Sequence, residues 1–194
     1  MNAYINPEAS KKSCPALFLD RDGVINFDHG HVYKVDNFDF LPGIFDLLTT
    51  ANEKGYLVVV VTNQAGIGRG LYSEKEFYDL TTWMIEVFKG KNIIIDGVFY
   101  SPFHPTSGKG KYLLKEDTRK PGSGMFKEAL TQFDIDINKS LMIGDSFTDM
   151  EASINAGIKE NFFLIDKKKE VFNYKNFKNI KVIESLSEVE INDV

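Results

Sequence analysis

The strongest constraint on this chain is the run Tyr56–Val61, YLVVVV, apolar throughout and mostly β-branched. A strand with one wet face alternates apolar and polar residues, so an unbroken apolar run reads as a strand covered on both faces. The neighbouring segments supply the covering layers. Gly43–Lys54 carries apolar residues at 44, 45, 47, 48 and 51, a helical spacing, and Gly55 provides a stop. Ser73 followed by Glu76 is a capping-box pattern that opens a periodic run to about Phe88. Ser123–Phe133 and Asp149–Ala156, the latter closed by Gly157, read as further helices. Short apolar runs at Ala16–Leu19, Ile93–Tyr100, Leu141–Ile143 and Phe162–Ile165 read as strands, with Ile180–Ile183 as an edge strand and a short helix from Ser185. Strands alternating with helices define an α/β class, a parallel sheet with helices on both faces. Ser101–Lys120 is polar, basic and interrupted by Gly and Pro, a long loop of the kind that often carries function. Lys167–Lys178, rich in Lys and Asn, reads as a solvated loop.

With 194 residues, 43% of them hydrophobic and 26% charged, the chain is expected to form one domain over 1–194, with its core in about 16–165 and a C-terminal extension over 166–194. A net charge of −5 argues against a nucleic-acid backbone or an anionic membrane surface as the main partner. The single cysteine, Cys14, has no internal disulfide partner and cannot build a Cys-rich zinc site. No run approaches the ~18–20 apolar residues of a membrane span, and Met1–Ser13 lacks a signal-peptide pattern. The expectation is a cytoplasmic monomer acting on a small molecule.

Three predicted strands end in polar clusters: Asp20-Arg21-Asp22-Gly23, Thr62-Asn63-Gln64 and Gly144-Asp145-Ser146. In open parallel sheets ligands bind beyond the carboxyl ends of the strands, where all three clusters fall. Aspartates after strands are individually common as turn or cap residues. Gathered together, Asp20, Asp22 and Asp145 repel one another unless a cation intervenes, and magnesium suits a few carboxylates completed by water and phosphate. The spacing Gly66-x-Gly68-x-Gly70 lacks a lysine and is weak as a nucleotide fingerprint; it reads as backbone freedom.

The segments LFLDRDGVIN, VVVVTNQAGIGRG, RKPGSGM and MIGDSFTDM resemble the four motifs of haloacid-dehalogenase-type (HAD) phosphatases. INFDHGHVYKVDNFDFLPG and LTTWM point within that superfamily to the heptose bisphosphate and histidinol-phosphate phosphatase family. The resemblance implies a Rossmann-like HAD fold. No large insertion separates Asp22 from Thr62 or Thr62 from Lys120, so no separate cap domain is expected.

The resemblance also implies roles. Asp20 would be the nucleophile and a magnesium ligand. Asp22, two residues on and on the same side of an extended segment, would be the general acid and base, contacting the metal through its backbone carbonyl. Thr62 and Asn63 would donate to the transferring phosphoryl oxygens, or cap the following helix. Lys120, followed by Pro121, would supply fixed positive charge, and Arg119 would grip a substrate anion. Asp145 would complete the metal site; Asp149, four residues later, would either orient a metal-bound water or cap its helix. Asp28, His29, Gly30 and His31 would touch substrate from the loop beyond the nucleophile, with Gln64 and Ala65 in a matching loop.

Two features depart from the family. The resemblance implies that most relatives hold a structural zinc in the long loop through Cys-x-His and Cys-x-Cys pairs; here Ser101, Phe103, Glu116 and Thr118 stand there. Serine, phenylalanine and threonine are poor zinc ligands, one carboxylate cannot replace four strong donors, His104 nearby lacks partners for a metal, and no zinc is expected. Phe103, Tyr112 and Leu113 would hold the loop by packing. Ser146 stands where the sugar-phosphatase pattern has lysine, and Lys109, Lys111 and Lys115 are candidates to compensate. The implied reaction is magnesium-dependent removal of the 7-phosphate of D-glycero-D-manno-heptose 1,7-bisphosphate in surface-polysaccharide precursor synthesis. The alternatives are a histidinol-phosphate or other small phosphatase and, in another class, a non-catalytic phosphate-binding or phospho-acceptor module.

Overall fold

The computed structural model describes residues 3–10, 12–165 and 180–193. Its frame is a seven-stranded sheet of β1 (Ala3–Ile5), β2 (Ala16–Leu19), β3 (Leu57–Asn63), β4 (Gly97–Ser101), β5 (Leu141–Gly144), β6 (Glu160–Leu164) and β7 (Ile180–Ile183). Their order is β1-β4-β3-β2-β5-β6-β7. Every pairing is parallel except β1 against β4. The chain starts its parallel sheet at β2, moves out through β3 and β4, then returns to the other side of β2 for β5, β6 and β7. The direction reverses at β2, which opens a crevice beyond the carboxyl ends of β2, β3 and β5.

The helices are α1 (Ile44–Glu53), α2 (Ala65–Arg69), α3 (Glu74–Lys89), α4 (Gly124–Gln132) and α5 (Phe147–Ala156). The run that dominated the sequence, now β3, is buried on both faces because its side chains alternate between two cores. Val58 and Val60 join Leu17, Leu19, Leu48, Phe77, Met84 and Phe88 under α1 and α3. Val59 and Val61 join Phe18, Met125, Phe126 and Met150 under α4 and α5. The Phe18 and Phe126 rings sit 5.0 Å apart across that second interface. The capping box at Ser73 is formed: its hydroxyl accepts from Glu76 N (3.2 Å), and the Glu76 carboxylate accepts from Ser73 N (2.7 Å). Among the described residues no helix is long and apolar enough to cross a membrane.

The structure corrects several boundaries. The third predicted strand begins at Gly97, not at Ile93. The Ile94 backbone is bracketed by a side chain of α1, with Asn52 Oδ1 accepting from Ile94 N (2.6 Å) and Asn52 Nδ2 donating to Ile94 O (3.2 Å), so those groups do not enter the ladder. α5 begins at Phe147, two residues early, because Ser146 caps it. Residues 65–69 form a short helix where the glycine spacing reads as backbone freedom. β1 escaped the sequence reading, since three residues are too few for a periodicity. The predicted strand over Phe162–Ile165 is shifted to Glu160–Leu164. The Lys/Asn-rich loop at 167–178 lies outside the described residues.

Asp96, just before β4, ties three segments together. Its N–H donates to Val58 O (2.9 Å), its carbonyl accepts from Asn6 N (2.8 Å), and its Oδ2 accepts from Val58 N (2.8 Å). Burial pushes its carboxyl up to about 6, against the smaller downward pull of the Val58 N–H. The native carboxyl thus binds its proton more tightly than the unfolded one. Its destabilising effect is absent below the ordinary value of 3.8, where folded and unfolded states are both protonated, grows between there and about 6, and is full above it. Asn keeps the acceptor for Val58 N–H and carries no charge. Asp96→Asn should therefore unfold about 2–3 kcal/mol harder than the parent at about pH 7.5 and equally easily near about pH 3, measured by denaturant titration.

Candidate active site

Asp20 follows β2 directly, Asp145 follows the neighbouring β5, and Thr62 and Asn63 end β3 on the other side. The sheet alone therefore places these groups at one rim. Lys120 reaches them from the end of the long loop. Its ammonium is buried, 3.0 Å from Asp20 Oδ1 and 2.5 Å from Asp149 Oδ1, and it donates to Val61 O (2.7 Å). Asn63 holds the Lys120 backbone at both ends: Lys120 N donates to Asn63 Oδ1 (3.0 Å), and Asn63 Nδ2 donates to Lys120 O (3.1 Å). Burial acts to lower the Lys120 ammonium, but Asp149 and Asp20 outweigh it and hold it above its ordinary value.

Asp20, Asp145 and Asp149 each bring a carboxylate oxygen within 4.8 Å of the others. Asp20 Oδ1 also accepts from Arg21 N (2.7 Å). Burial raises the Asp20 carboxyl well above the usual range; Lys120 pulls it down, and Asp149, Asp145 and Asp22 push it up again. Lys120 thus pairs with two of three carboxylates that gather as hard oxygen donors. Gly23, at φ +89°, leaves the space into which Asp145 projects, for a Cβ there would fall 2.2 Å from Asp145 Oδ2. This donor set fits a hard divalent cation such as magnesium. Among the described residues it is the one group of three or more His, Cys, Asp or Glu side chains so arranged.

The carboxyl of Asp22 stands outside that group. It is gripped by Arg21, with Nη2 2.8 Å from Oδ1 and 2.7 Å from Oδ2, and it accepts from Asn26 Nδ2 (3.0 Å) and Gln64 Nε2 (3.0 Å). Gln64 Nε2 also donates to Thr62 Oγ1 (2.9 Å), so one amide nitrogen spans Asp22 and Thr62. The Gln64 side chain is buried and fully used within the protein. Arg21 is buried too, donating to Val32 O (2.6 Å) with Phe77 5.7 Å from its guanidinium carbon. Sequence reasoning missed Arg21; the signal was an arginine between two aspartates in an otherwise apolar segment.

The remaining candidates surround this centre. Asp149 does cap its helix, its Oδ2 accepting from Ser146 N (3.0 Å) and from Ser146 Oγ (2.7 Å), while its other oxygen pairs with Lys120. Ser146 accordingly spends its hydroxyl on the cap. Asp28, His29, Gly30 and His31 form an exposed loop: Asp28 Oδ1 accepts from Gly30 N (2.9 Å), and His29 Nε2 lies 2.9 Å from Asp39 Oδ2. Ala65 opens α2. Arg119 is partly buried, donating to Phe103 O (3.2 Å).

The long loop is tied down by polar contacts as well as packing. Tyr112 donates to Glu74 of α3 and lies 6.1 Å from the Phe103 ring. Lys109 N donates to Gly68 O (2.8 Å), and Arg69 Nε to Ser107 Oγ (3.0 Å). Leu113 is 52% exposed, which removes it from the packing expected of it. His104 Nδ1 accepts from Ser107 N (3.1 Å) and Thr106 N (3.3 Å), setting a turn. Thr118 and Ser101 place their hydroxyl oxygens 3.4 Å apart.

A parallel sheet with acidic residues after adjacent central strands, a lysine between them and a hydroxyl on the next strand is the architecture of a phosphoryl-handling HAD-type hydrolase. Comparison with known proteins agrees. A family model described as "HAD-hyrolase-like" matches residues 117–189. The chain is 48% identical over 152 residues to the D-glycero-alpha-D-manno-heptose-1,7-bisphosphate 7-phosphatase of Burkholderia mallei, covering 78% of this chain and 80% of that protein. It is 44% identical over 146 residues to the D-glycero-beta-D-manno-heptose-1,7-bisphosphate 7-phosphatase of Haemophilus influenzae, covering 75% and 79%. Among solved structures, the D,D-heptose 1,7-bisphosphate phosphatase of B. bronchiseptica, complexed with magnesium and phosphate, superimposes with a TM-score of 0.72 at 25% identity, covering 91% of this chain and 94% of that one. The chain belongs to the heptose-bisphosphate phosphatase family of the HAD superfamily.

Removing one partner of a buried ion pair costs more than the pair contributes, because the survivor is left uncompensated. Lys120→Met in metal-free buffer should lower unfolding stability by about 3–5 kcal/mol. Adding Asp149→Asn to that variant should recover part of the loss. A fully additive double variant would show that the two side chains are not coupled.

Proposed function

We propose that this enzyme hydrolyses the 7-phosphate ester of D-glycero-D-manno-heptose 1,7-bisphosphate through an aspartyl-phosphate on Asp20. The observation that carries the chemistry is the convergence of Asp20, Asp145, Asp149 and Lys120 at one rim of the sheet. The substrate rests on the 44–48% identity to phosphatases named for it.

In this reading a carboxylate oxygen of Asp20 attacks phosphorus in line, and the bond from phosphorus to the ester oxygen breaks. Asp22 gives its proton to the departing alkoxide. A water then attacks the phosphorus of the aspartyl-phosphate, Asp22 takes the water's proton, inorganic phosphate leaves and the Asp20 carboxylate is restored. The carboxylates of Asp20 and Asp145, with the backbone carbonyl of Asp22, would hold magnesium, which when bound supplies positive charge against the repulsion between carboxylate and phosphate dianion. Lys120 and the Thr62 hydroxyl serve the equatorial phosphoryl oxygens, where charge spreads in the transition state. Asn63 serves indirectly by fixing the backbone of Lys120. Arg119, on the loop over the crevice, meets the remainder of the substrate as an anion-binding group. Asp28, His29, Gly30, His31 and Ala65 line the approach. Arg21, Asn26 and Gln64 donate to both oxygens of Asp22 and fix where its carboxyl stands.

The test is phosphate release with magnesium from both anomers of heptose 1,7-bisphosphate and from histidinol phosphate. The expected result is a kcat/KM highest on a heptose bisphosphate. A clear preference for histidinol phosphate contradicts the substrate assignment. Asp22→Asn should lower kcat by roughly two to four orders of magnitude while calorimetric magnesium binding stays near the parent's. An unchanged kcat would favour a phospho-acceptor module that needs no acid at this position.

A further inference from the structure

Tyr72 lies outside the strand-end clusters, yet its hydroxyl reaches into them. Gly66 makes this possible, since a Cβ there would fall 2.1 Å from Tyr72 Cε1. In the space left, Tyr72 donates its hydroxyl hydrogen to Gln64 Oε1 at 2.5 Å. Tyr33 stacks on its ring at 5.0 Å with an interplanar angle of 6°. Tyr72, Gln64 and Thr62 are 6%, 2% and 1% exposed, so this is an interior chain of hydrogen bonds rather than a surface contact.

A primary amide has two unlike ends: its oxygen accepts and its nitrogen donates. The Tyr72 hydroxyl occupies the oxygen, which turns the nitrogen toward Asp22 Oδ2 at 3.0 Å and Thr62 Oγ1 at 2.9 Å. Asp22 already receives hydrogen bonds from Arg21 and Asn26, so it meets the same orientation as an acceptor. Because Gln64 donates to the threonine oxygen, Thr62 cannot aim its own hydrogen at Gln64. That hydrogen is left for an acceptor on the Asp20 side, where the phosphoryl group would lie. With the amide reversed, Oε1 would face the Asp22 oxygen and would take the Thr62 hydrogen for itself.

We infer that Tyr72 is a positioning residue which, through the amide of Gln64, keeps the Thr62 hydroxyl hydrogen pointed at the transferring phosphoryl group. The inference rests on the proposed function and deepens it. Thr62 serves the phosphoryl group, not the leaving group, so its misorientation affects all phosphate esters alike. It also acts on charge that develops in the transition state, so it appears in kcat and leaves KM nearly unchanged.

Steady-state kinetics of the full chain with magnesium, on a sugar phosphate and on p-nitrophenyl phosphate, test this. Tyr72→Phe keeps the ring in the space beside Gly66 and removes only the hydroxyl. The expected loss in kcat is about tenfold on both esters with KM within about twofold. Gln64→Glu, whose side chain as a carboxylate has no hydrogen to donate, should lose more, approaching the roughly 100-fold of a missing phosphoryl donor. Circular dichroism and magnesium titration should match the parent for both variants; if either fails to fold, the other decides. Parental kcat in Tyr72→Phe, an effect on KM alone, or a loss confined to the sugar phosphate would overturn the inference, the last because it would locate the effect in proton donation by Asp22. An active parent with an unaffected variant defeats only this inference. A parent inactive on both esters defeats the proposed function and this inference with it.

Discussion

The buried ammonium of Lys120, held between Asp20 and Asp149, is the contact on which the site depends. Carboxylates delivered to one rim by adjacent strands are mutually repulsive, and burial makes the repulsion worse by withdrawing water. One fixed cation, paired with two of these carboxylates, makes the cluster tolerable. The hard oxygen donors gathered there fit a divalent ion. The fold contributes by economy of placement: the chain reverses direction at β2, so residues immediately after β2, β3 and β5 meet with no long reach. Only Lys120 comes from a loop, and Asn63 fixes its backbone by two hydrogen bonds.

Much of this was legible in the residues. The unbroken apolar run that became β3 required two covering layers, and α1, α3, α4 and α5 provide them. Ser73 and Glu76 announced the start of α3 because a cap is a local interaction. The acidic residues were legible as a group because sequence position after a strand converts directly into position at the rim. What was not legible depended on contacts distant in sequence. Ile93–Asp96 reads as strand from composition, but Asn52 competes for the Ile94 backbone. Asp149 was open between orienting a metal-bound water and capping its helix; one oxygen caps through Ser146, and the other pairs with Lys120, a contact no local pattern announces. Gln64 looked like a substrate contact and is instead buried between Tyr72, Thr62 and Asp22. No local pattern announces that Tyr72 will fold back over Gly66.

The long loop is held by contacts that no local pattern announces. Ser101, Phe103, Glu116 and Thr118 stand where the resemblance implies zinc ligands. The loop is anchored to α3 by Tyr112 and Glu74, to α2 by Lys109 and Gly68, and by Arg69 with Ser107. Ser146 stands where the resemblance implies a lysine, and it completes a capping box with Asp149 at the start of α5.

The central claim is that Asp20 receives the phosphoryl group. Rapid mixing of enzyme with magnesium and a phosphate ester, a quench during turnover and reduction with borohydride would convert an acyl-phosphate to homoserine, which peptide mass spectrometry can locate. The account predicts homoserine at position 20, present only when substrate is supplied and absent in Asp20→Asn. Turnover without homoserine at position 20, or homoserine at Asp22, Asp145 or Asp149 instead, would contradict it.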